Sequence, residues 1–369
     1  MRRERTKVVV AMSGGVDSSV AAGLLAQQGY EVHGVTMAFD PCRDDGEVSW
    51  CCGAGAAEEA SAVAEKIGAS HEVIKCDDLF EAAVLWPAWQ EYSRGRTPSP
   101  CIACNRNVKF ELLLVHARKV GAEKIATGHY ARLDDSTPGS SVLLRAQDRH
   151  KDQSYFLFSL TAEQRAVALF PLGELDKPQV RQVAKEMGFE NADRAESQDA
   201  CFRAPDGFAE GLRVKFEVDQ RPGVIASPDG DTLGKHGGVH NFTIGQRKGT
   251  GISLGRPAYV VDIDSVENRV ILSTREQDLL AHELRASGVV WSDKAAPREP
   301  LSCQAQIRYR HRAAQATVSV NGGGLAHVSF EEPVRAITPG QAVVFYLGDR
   351  VLGGGWIEHA AYRNEEEDD

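Results

Sequence analysis

Two groups of residues in this chain combine side-chain type and spacing in a way that can do chemistry. The first is Ala11-Met12-Ser13-Gly14-Gly15-Val16-Asp17-Ser18-Ser19. It follows the apolar run Val8-Val9-Val10 and opens an amphipathic stretch ended by Gly29. Adjacent glycines let the backbone turn with its N–H groups converging on an anion, with no Cβ in the way. The hydroxyls of Ser13, Ser18 and Ser19 add donors, and a helix start adds partial positive charge. The lysine of a Walker loop and its Gly-x-x-x-x-Gly-Lys spacing are absent. Such a cradle suits pyrophosphate leaving from ATP rather than transfer of the terminal phosphate. Asp17 reads as the N-cap of the helix, with orientation of Mg2+ as the alternative.

The second group is made of thiols. Thr97-Pro98-Ser99-Pro100-Cys101-Ile102-Ala103-Cys104-Asn105-Arg106 is one cluster and Ser197-Gln198-Asp199-Ala200-Cys201-Phe202 the other. A thiol beside basic groups loses its proton near neutral pH, and the thiolate is the reactive form. Arg106 and Lys109 follow Cys104, and Arg203 follows Cys201. Two such cysteines drawn from distant segments suit a sulfur relay: one carries a terminal persulfide sulfur and the other attacks the S–S bond. Two alternatives stay open. Cys101 and Cys104 are a CxxC zinc half-site, though no second half completes four ligands. Cys101, Cys104 and Cys201 are also a ligand set for a 4Fe-4S cluster with one open iron. Cys42, Cys51 and Cys52 read as incidental, and Cys76 and Cys303 as packed core on strands.

The elements that must position these groups alternate. Strands are predicted over 7–12, 31–38, 71–76 and 124–127, and helices over 18–28, 55–68, 79–92 and 107–120. Pro87 must kink or split the third helix. Alternation of this kind implies a parallel sheet with helices on both faces and a ligand at the C-terminal ends of the strands. Beyond residue 135 a strand is expected over 142–147 and helices over 161–170 and 176–188, the last with Pro178 in its first turn. From about residue 218 the helical period disappears. Short β runs are separated there by turn clusters such as Pro228-Asp229-Gly230 and Asn321-Gly322-Gly323-Gly324. The fold class is therefore α/β at the N-terminus, followed by a small β-rich domain and a C-terminal β-barrel. The boundaries read as 1–217 for the ATP-binding catalytic domain, with a helical part over about 136–217. A central β-rich domain over 218–284, a barrel over 285–362 and an acidic tail over 363–369 follow.

Composition narrows the class. The chain has 369 residues, 42% hydrophobic and 25% charged, which excludes a disordered or fibrous protein. The net charge of -10 excludes a uniformly basic nucleic-acid coat but not local basic clusters. Such clusters occur at Arg94 and Arg96; Arg145, Arg149 and Lys151; Arg213 and Lys215; Arg247 and Lys248; and Arg308, Arg310 and Arg312. Phosphate contacts need groupings of this sort, while Tyr155, Phe156 and Tyr309 are candidates to stack on an extruded base. The blander reading makes Tyr155 and Phe156 core. No run of eighteen apolar residues is present, so no membrane helix is expected. The charged start leads straight into the first strand and does not read as a signal, so a cytoplasmic location with reduced thiols is expected.

The phosphate loop resembles that of the PP-loop ATP pyrophosphatases, which adenylate a carbonyl oxygen. With the cysteines and further motifs, nearly the whole chain resembles the tRNA-specific 2-thiouridylase (MnmA) family. The motifs are Gly95-Arg96-Thr97-Pro98, Cys104-Asn105-Arg106 with Lys109-Phe110, Gly128-His129-Tyr130-Ala131-Arg132 and Lys151-Asp152-Gln153-Ser154-Tyr155. They continue with Cys201-Phe202, the run from His240 to Gly249, Arg308-Tyr309-Arg310 and Thr338-Pro339-Gly340-Gln341. The resemblance implies ATP-dependent 2-thiolation of the wobble uridine of tRNA, with Lys, Glu and Gln acceptors expected. A cysteine desulfurase or sulfur-relay protein would be the donor. It implies ATP contacts from Ala11, Met12, Ser13, Gly14, Gly15, Val16, Asp17, Ser18, Met37 and Gly128. Cys104 would be the nucleophile and Cys201 the persulfide carrier, joined in a transient disulfide. Ser99, Pro100 and Cys101 would meet the target base. His129, Lys151, Asp152, Gln153, Arg308, Tyr309 and Gln341 would meet tRNA. ATP and Mg2+ are implied cofactors, with a 4Fe-4S cluster as the alternative route. Many members carry aspartate where this chain has Cys101, and the segment from Arg203 to Phe208 also departs from the family pattern. Rival classes are a small-molecule adenylating ligase of the same superfamily and an RNA-binding module that consumes no ATP.

Overall fold

Val8, Val9 and Val10 are wholly buried, as a strand covered on both faces of a parallel sheet must be. They belong to β1 (Lys7–Ala11), the centre of a five-stranded sheet. The structure is a computed structural model describing residues 5–39, 49–50, 54–137, 139–194, 202–203, 207–292, 295–321 and 324–362. Cys42, Cys51, Cys52 and Cys201 lie outside the described residues. Within the sheet, β1 is flanked by β2 (Glu31–Ala38) and then β3 (Ser70–Lys75) on one side. On the other side come β4 (Lys124–Ala126) and β5 (Ala168–Leu169), and every pairing is parallel. Strand order therefore reverses at β1, and its C-terminal end is the crevice where α/β sheets bind ligands. Helix α1 (Val16–Gln27) starts there and buries Val20, Ala21 and Leu25 against Val8 and Val10. Helix α2 (Ala54–Lys66) adds Ala60, Val63 and Ala64 to the same core.

The predicted helix over 161–170 is shorter than its apolar run suggested. It ends at Val167, and Ala168–Leu169 instead pair with Ile125 and Ala126 as the edge strand β5. A short apolar run serves either period, and the open edge of the sheet decides here. Around Pro87 the chain stays helical from Asp77 to Ser93, with a π-turn over Glu81–Leu85 that ends two residues before the proline. The wider turn absorbs the N–H that proline lacks and the clash of its ring with the preceding turn. The predicted helix over 107–120 begins earlier, at Pro100–Ala103. It passes through a second π segment, Cys104–Lys109, before the regular helix α3 (Phe110–Val120). Helix α4 (Lys177–Glu186) carries a full capping box, Asp176 with Gln179, and Pro in its first turn as expected.

The chain forms two compact units that are not contiguous in sequence. One comprises 1–84, 101–205 and 349–351; the other comprises 85–100, 206–348 and 352–369. The second unit holds two β assemblies. Gly223–Ala226, Thr232–His236, Tyr259–Asp264 and Arg269–Ser273 make a four-stranded sheet around Ile225, Val260, Val270 and Leu272. Six strands between Leu280 and Tyr362 form the C-terminal barrel. It is closed by pairing of Leu280–Trp291 with the last strand, Arg350–Tyr362. Closure removes the sheet edges that invite aggregation. Cys303 is buried inside this barrel, and burial pushes its thiol pKa up to about 12, so it stays an inert thiol.

In the second unit, Glu210 accepts from Arg213 at 2.7 Å and lies 2.8 Å from His240 Nε2. The Arg213 hydrogen bond lowers the Glu210 pKa to about 2, with His240 adding to it. A depressed carboxyl pKa contributes stability that is present above the ordinary value and lost as pH falls through the folded value. Glu210→Gln should therefore reduce unfolding free energy at pH 7 by about 1–2 kcal/mol. The gap from wild type should shrink as pH is lowered from 4.5 towards 2, as urea denaturation at several pH values would show.

Candidate active site

The phosphate loop sits directly after β1, and its shape is set by hydroxyls and glycine. Ser18 Oγ donates to the Gly15 carbonyl at 2.9 Å and accepts from the Ser13 N–H at 3.1 Å. Ser19 Oγ donates to the same carbonyl at 3.0 Å. Gly14 has φ of +73°, and a Cβ there would come within 2.6 Å of the Ala56 carbonyl oxygen. Gly128, at the end of the neighbouring strand, leaves no room for a Cβ either, since Asp17 C and Ser18 N would be 2.8 Å away. Glycine at 128 thus lets the backbone after β4 lie against the loop. Met12 and Met37 are buried, while Ser13 stays exposed.

Asp17 is not the cap of α1. The N-cap is Gly15, with no side-chain cap bond, because Asp17 stands two residues later, in the first turn. Its Oδ1 instead accepts from Tyr130 Oη at 2.8 Å and from Lys177 Nζ at 2.7 Å. Asn191 is a second buttress: its Nδ2 donates to the Gly14 carbonyl and to Ser19 Oγ, both at 2.9 Å. Lys177 and Asn191 escaped sequence reasoning, for they lie over 150 residues from the loop they support. The only local signal was the capping residue Asp176, which explains the helix but not the lysine. Lys177→Met strands the Asp17 carboxylate. Asp17 keeps 33% of its side-chain surface in water, so the cost should be about 1–2 kcal/mol rather than the ~3–5 kcal/mol of a fully buried pair. Urea denaturation would measure it.

Cys101 and Cys104 occur one turn apart on the helical stretch leading into α3, both half-buried and, among the described residues, in no disulfide. The π segment starting at Cys104 is pinned by its own polar groups. Asn105 Nδ2 donates to the Phe156 carbonyl at 3.2 Å, Lys109 Nζ to Asn105 Oδ1 at 3.1 Å, and Gln164 Nε2 to the Arg106 carbonyl at 2.8 Å. π turns are rare and recur at functional sites. Among the described residues Cys104 is in no disulfide; its expected partner Cys201 lies outside them.

The expected tRNA residues have different environments. Thr127 Oγ1 lies 2.8 Å from His129 Nδ1, and Phe110 stacks on the ring. Burial, then Lys109, holds His129 well below its ordinary pKa, so it is neutral. Asp152 accepts from Arg145, from the Ala146 and Ser154 N–H groups and from Ser154 Oγ. Gln153 Oε1 accepts from the Tyr130 N–H at 3.0 Å, and Lys151 is half-buried beside them. In the second unit, Ser99 Oγ donates to Gln341 Oε1 at 3.2 Å, and Gln341 Nε2 donates to the Thr97 and Pro98 carbonyls. Two residues expected at substrate, 242 positions apart, are thus hydrogen-bonded to each other. Pro100 follows Ser99 as the first helical residue. Arg308 donates to the Arg335 and Ala336 carbonyls, and Arg310 lies over the Tyr309 ring.

Two expectations about nucleic-acid contacts change. Tyr155 is 1% exposed and cannot stack on a base, which settles it as core; Phe156 is half-buried. The basic clusters are partly consumed internally. Arg96 holds Glu91 and Glu358, Arg145 holds Asp152, Arg149 holds Asp349, and Arg213 holds Glu210. A sequence count of cations therefore overstates the charge offered to phosphates.

Comparison with known proteins covers the chain in three blocks. Residues 6–204 match a family described as the tRNA methyl transferase HUP domain, 213–274 its PRC-barrel domain, and 281–357 the aminomethyltransferase β-barrel domain. The chain is 46% identical to the tRNA-specific 2-thiouridylase of Geobacter metallireducens over 363 residues, covering 97% of this chain and 98% of the relative. It is 45% identical to that of Pelotomaculum thermopropionicum over 360 residues (96% and 98%), and 46% identical to that of a Picosynechococcus species over 356 residues (96% and 98%). No helix among the described residues is long and apolar enough to cross a membrane. Similarity at this level along nearly the full length, over the same order of domains, makes this chain a member of the tRNA-specific 2-thiouridylase MnmA family.

Proposed function

We propose that this protein thiolates the 2-position of the wobble uridine of tRNA at the expense of ATP, in the acceptors for Lys, Glu and Gln. The observation that carries the reading is a single unit holding both a phosphate loop without the Walker lysine and the half-buried thiol of Cys104. The cradle, Ala11 to Ser18 with Met37 and Gly128, binds the triphosphate. The uridine 2-oxygen attacks the α-phosphate, pyrophosphate leaves, and the base carries AMP as a leaving group that the bare oxygen is not. A persulfide on Cys201, loaded by a cysteine desulfurase or relay protein, attacks carbon 2 with its terminal sulfur and expels AMP. The Cys104 thiolate then attacks Cys201 Sγ. The S–S bond breaks, sulfur stays on the base, and a Cys104–Cys201 disulfide forms that an external dithiol reduces.

The base must leave its stack to react. Ser99, Pro100 and Cys101 receive it in this reading, while His129, Lys151, Asp152, Gln153, Arg308, Tyr309 and Gln341 form the tRNA-facing surroundings. Asp152 and Gln153 act there by holding backbone in place. Mg2+ arrives with the triphosphate, since Asp17 Oδ1 is already shared by Lys177 and Tyr130. The 4Fe-4S alternative has one observation in its favour, the pairing of Cys101 and Cys104 on one helical turn; it needs Cys201 as third ligand. Iron analysis of anaerobically purified protein separates the two routes. Methyl transfer would need neither an adenylating triphosphate nor paired thiols, so the loop and cysteines favour thiolation over that description. The test is AMP and pyrophosphate release by the purified protein. Release should require tRNA bearing a wobble uridine; release driven by free small carbonyl compounds alone would point to a ligase instead.

A further inference from the structure

A second cluster of metal-binding side chains lies in the first unit, toward the opposite ends of the strands from the phosphate loop. His33 stands in the first half of β2, Glu72 in the first half of β3, and His116 on α3. Among the described residues this is the one group of three or more His, Cys, Asp or Glu side chains with ligand atoms close enough to share an ion. His116 Nε2 lies 2.8 Å from His33 Nε2 and 3.7 Å from Glu72 Oε2, and His33 Nε2 lies 4.0 Å from the same oxygen. A triangle with those sides has a circumradius of about 2.1 Å, so one point is that far from all three donors, the length of a Zn–N or Zn–O bond. His116 is buried, and Glu72 remains 43% exposed. The outer shell is in place as well. Ser70 Oγ is hydrogen-bonded to His33 Nδ1, and Lys119 Nζ lies 3.5 Å from Glu72 Oε1, leaving Oε2 to the imidazoles. Outer partners of this kind fix the ring orientation and tautomer of a ligand histidine.

We propose that His33 Nε2, His116 Nε2 and Glu72 Oε2 bind a divalent transition-metal ion of the zinc class, which ties β2, β3 and α3 together. Water completes the coordination on the exposed Glu72 side. With the His33 Nδ1 hydrogen donated to Ser70, the hydrogen between the two Nε2 atoms belongs to His116. On metal binding it moves to His116 Nδ1, so the site holds two neutral imidazoles and one carboxylate. The role is structural and separate from the proposed thiolation.

The test is Zn2+ titration of the full chain against a chromophoric chelator, after stripping with chelator under reducing conditions, with Co2+ spectra as a second readout. Because thiols also bind zinc, Cys101→Ser and Cys104→Ser are combined in one control. Wild type should bind one equivalent that this control retains, with a Co2+ spectrum lacking thiolate charge transfer. Glu72→Gln, a half-exposed isosteric change without folding risk, should weaken that equivalent about 10–100-fold, and His33→Ala or His116→Ala should remove it. At a given zinc concentration the melting temperature of wild type should rise more than that of Glu72→Gln. An equivalent that disappears with the two cysteines, affinity unchanged in Glu72→Gln, or no binding by wild type would each overturn the proposal.

Discussion

Cys104→Ser is expected to lower tRNA thiolation by on the order of 10³-fold or more while a single turnover of tRNA-dependent AMP and pyrophosphate release persists. The hydroxyl of serine is not ionised at neutral pH and is a poor nucleophile toward a disulfide sulfur, so the step that frees sulfur from Cys201 stops. Adenylation needs only the cradle and the uridine oxygen, and neither involves Cys104. The substitution is nearly isosteric at a half-buried position, so loss of folding does not confuse the result. Cys201→Ser should also stop thiolation but release pyrophosphate without AMP, since no persulfide expels it, and in Cys104→Ser the Cys201–tRNA disulfide adduct should accumulate, visible by protein mass spectrometry. Cys303→Ser is the control: its thiol is buried with a pKa of about 12, and chemistry should be untouched. Loss of adenylation in Cys104→Ser would contradict the division of labour between loop and thiols.

Gly14→Ala should be nearly as damaging, at the other half-reaction. At φ of +73° an alanine is strained by about 1 kcal/mol or more. Its Cβ would also lie 2.6 Å from the Ala56 carbonyl oxygen, which is backbone and cannot swing aside. The loop must shift, and with it the Gly14 carbonyl that Asn191 holds. A displacement near 1 Å at a group that positions phosphate costs on the order of 10²-fold in rate. ATP-dependent AMP formation should fall by that factor, with thiolation falling in step. Gly29→Ala is the matched control. It too has positive φ, +89°, but no atom lies within 4 Å of the added methyl. It should lose stability, as denaturant unfolding would show, and keep its ATP kinetics.

Much of this architecture is written in local patterns. Val8-Val9-Val10 followed by Ser13-Gly14-Gly15 announces a buried strand and a loop at its end, and strand alternation places that loop at a switch point. Asp176 with Gln179 and Pro178 marks the start of α4 to within a residue. What stayed hidden is long-range. Asp17 looks like a cap, since Asp near a helix start usually is one; only the fold reveals that Lys177 and Tyr130 claim its oxygen. Ala168–Leu169 reads as the end of a helix until the sheet offers it an open edge. The basic clusters read as nucleic-acid contacts until their carboxylate partners, remote in sequence, come into view. His33, Glu72 and His116 carry no common motif, because each comes from a different element and their meeting depends on strand register.

The most direct measurement of the central claim is nucleoside mass spectrometry of tRNA from cells lacking this gene. Uridine at the wobble position of the Lys, Glu and Gln acceptors should carry oxygen at its 2-position in those cells. Sulfur should return on complementation with wild type and not with Cys104→Ser. Wobble 2-thiouridine at unchanged abundance in the deletion strain, with no second thiolase to supply it, would contradict the account.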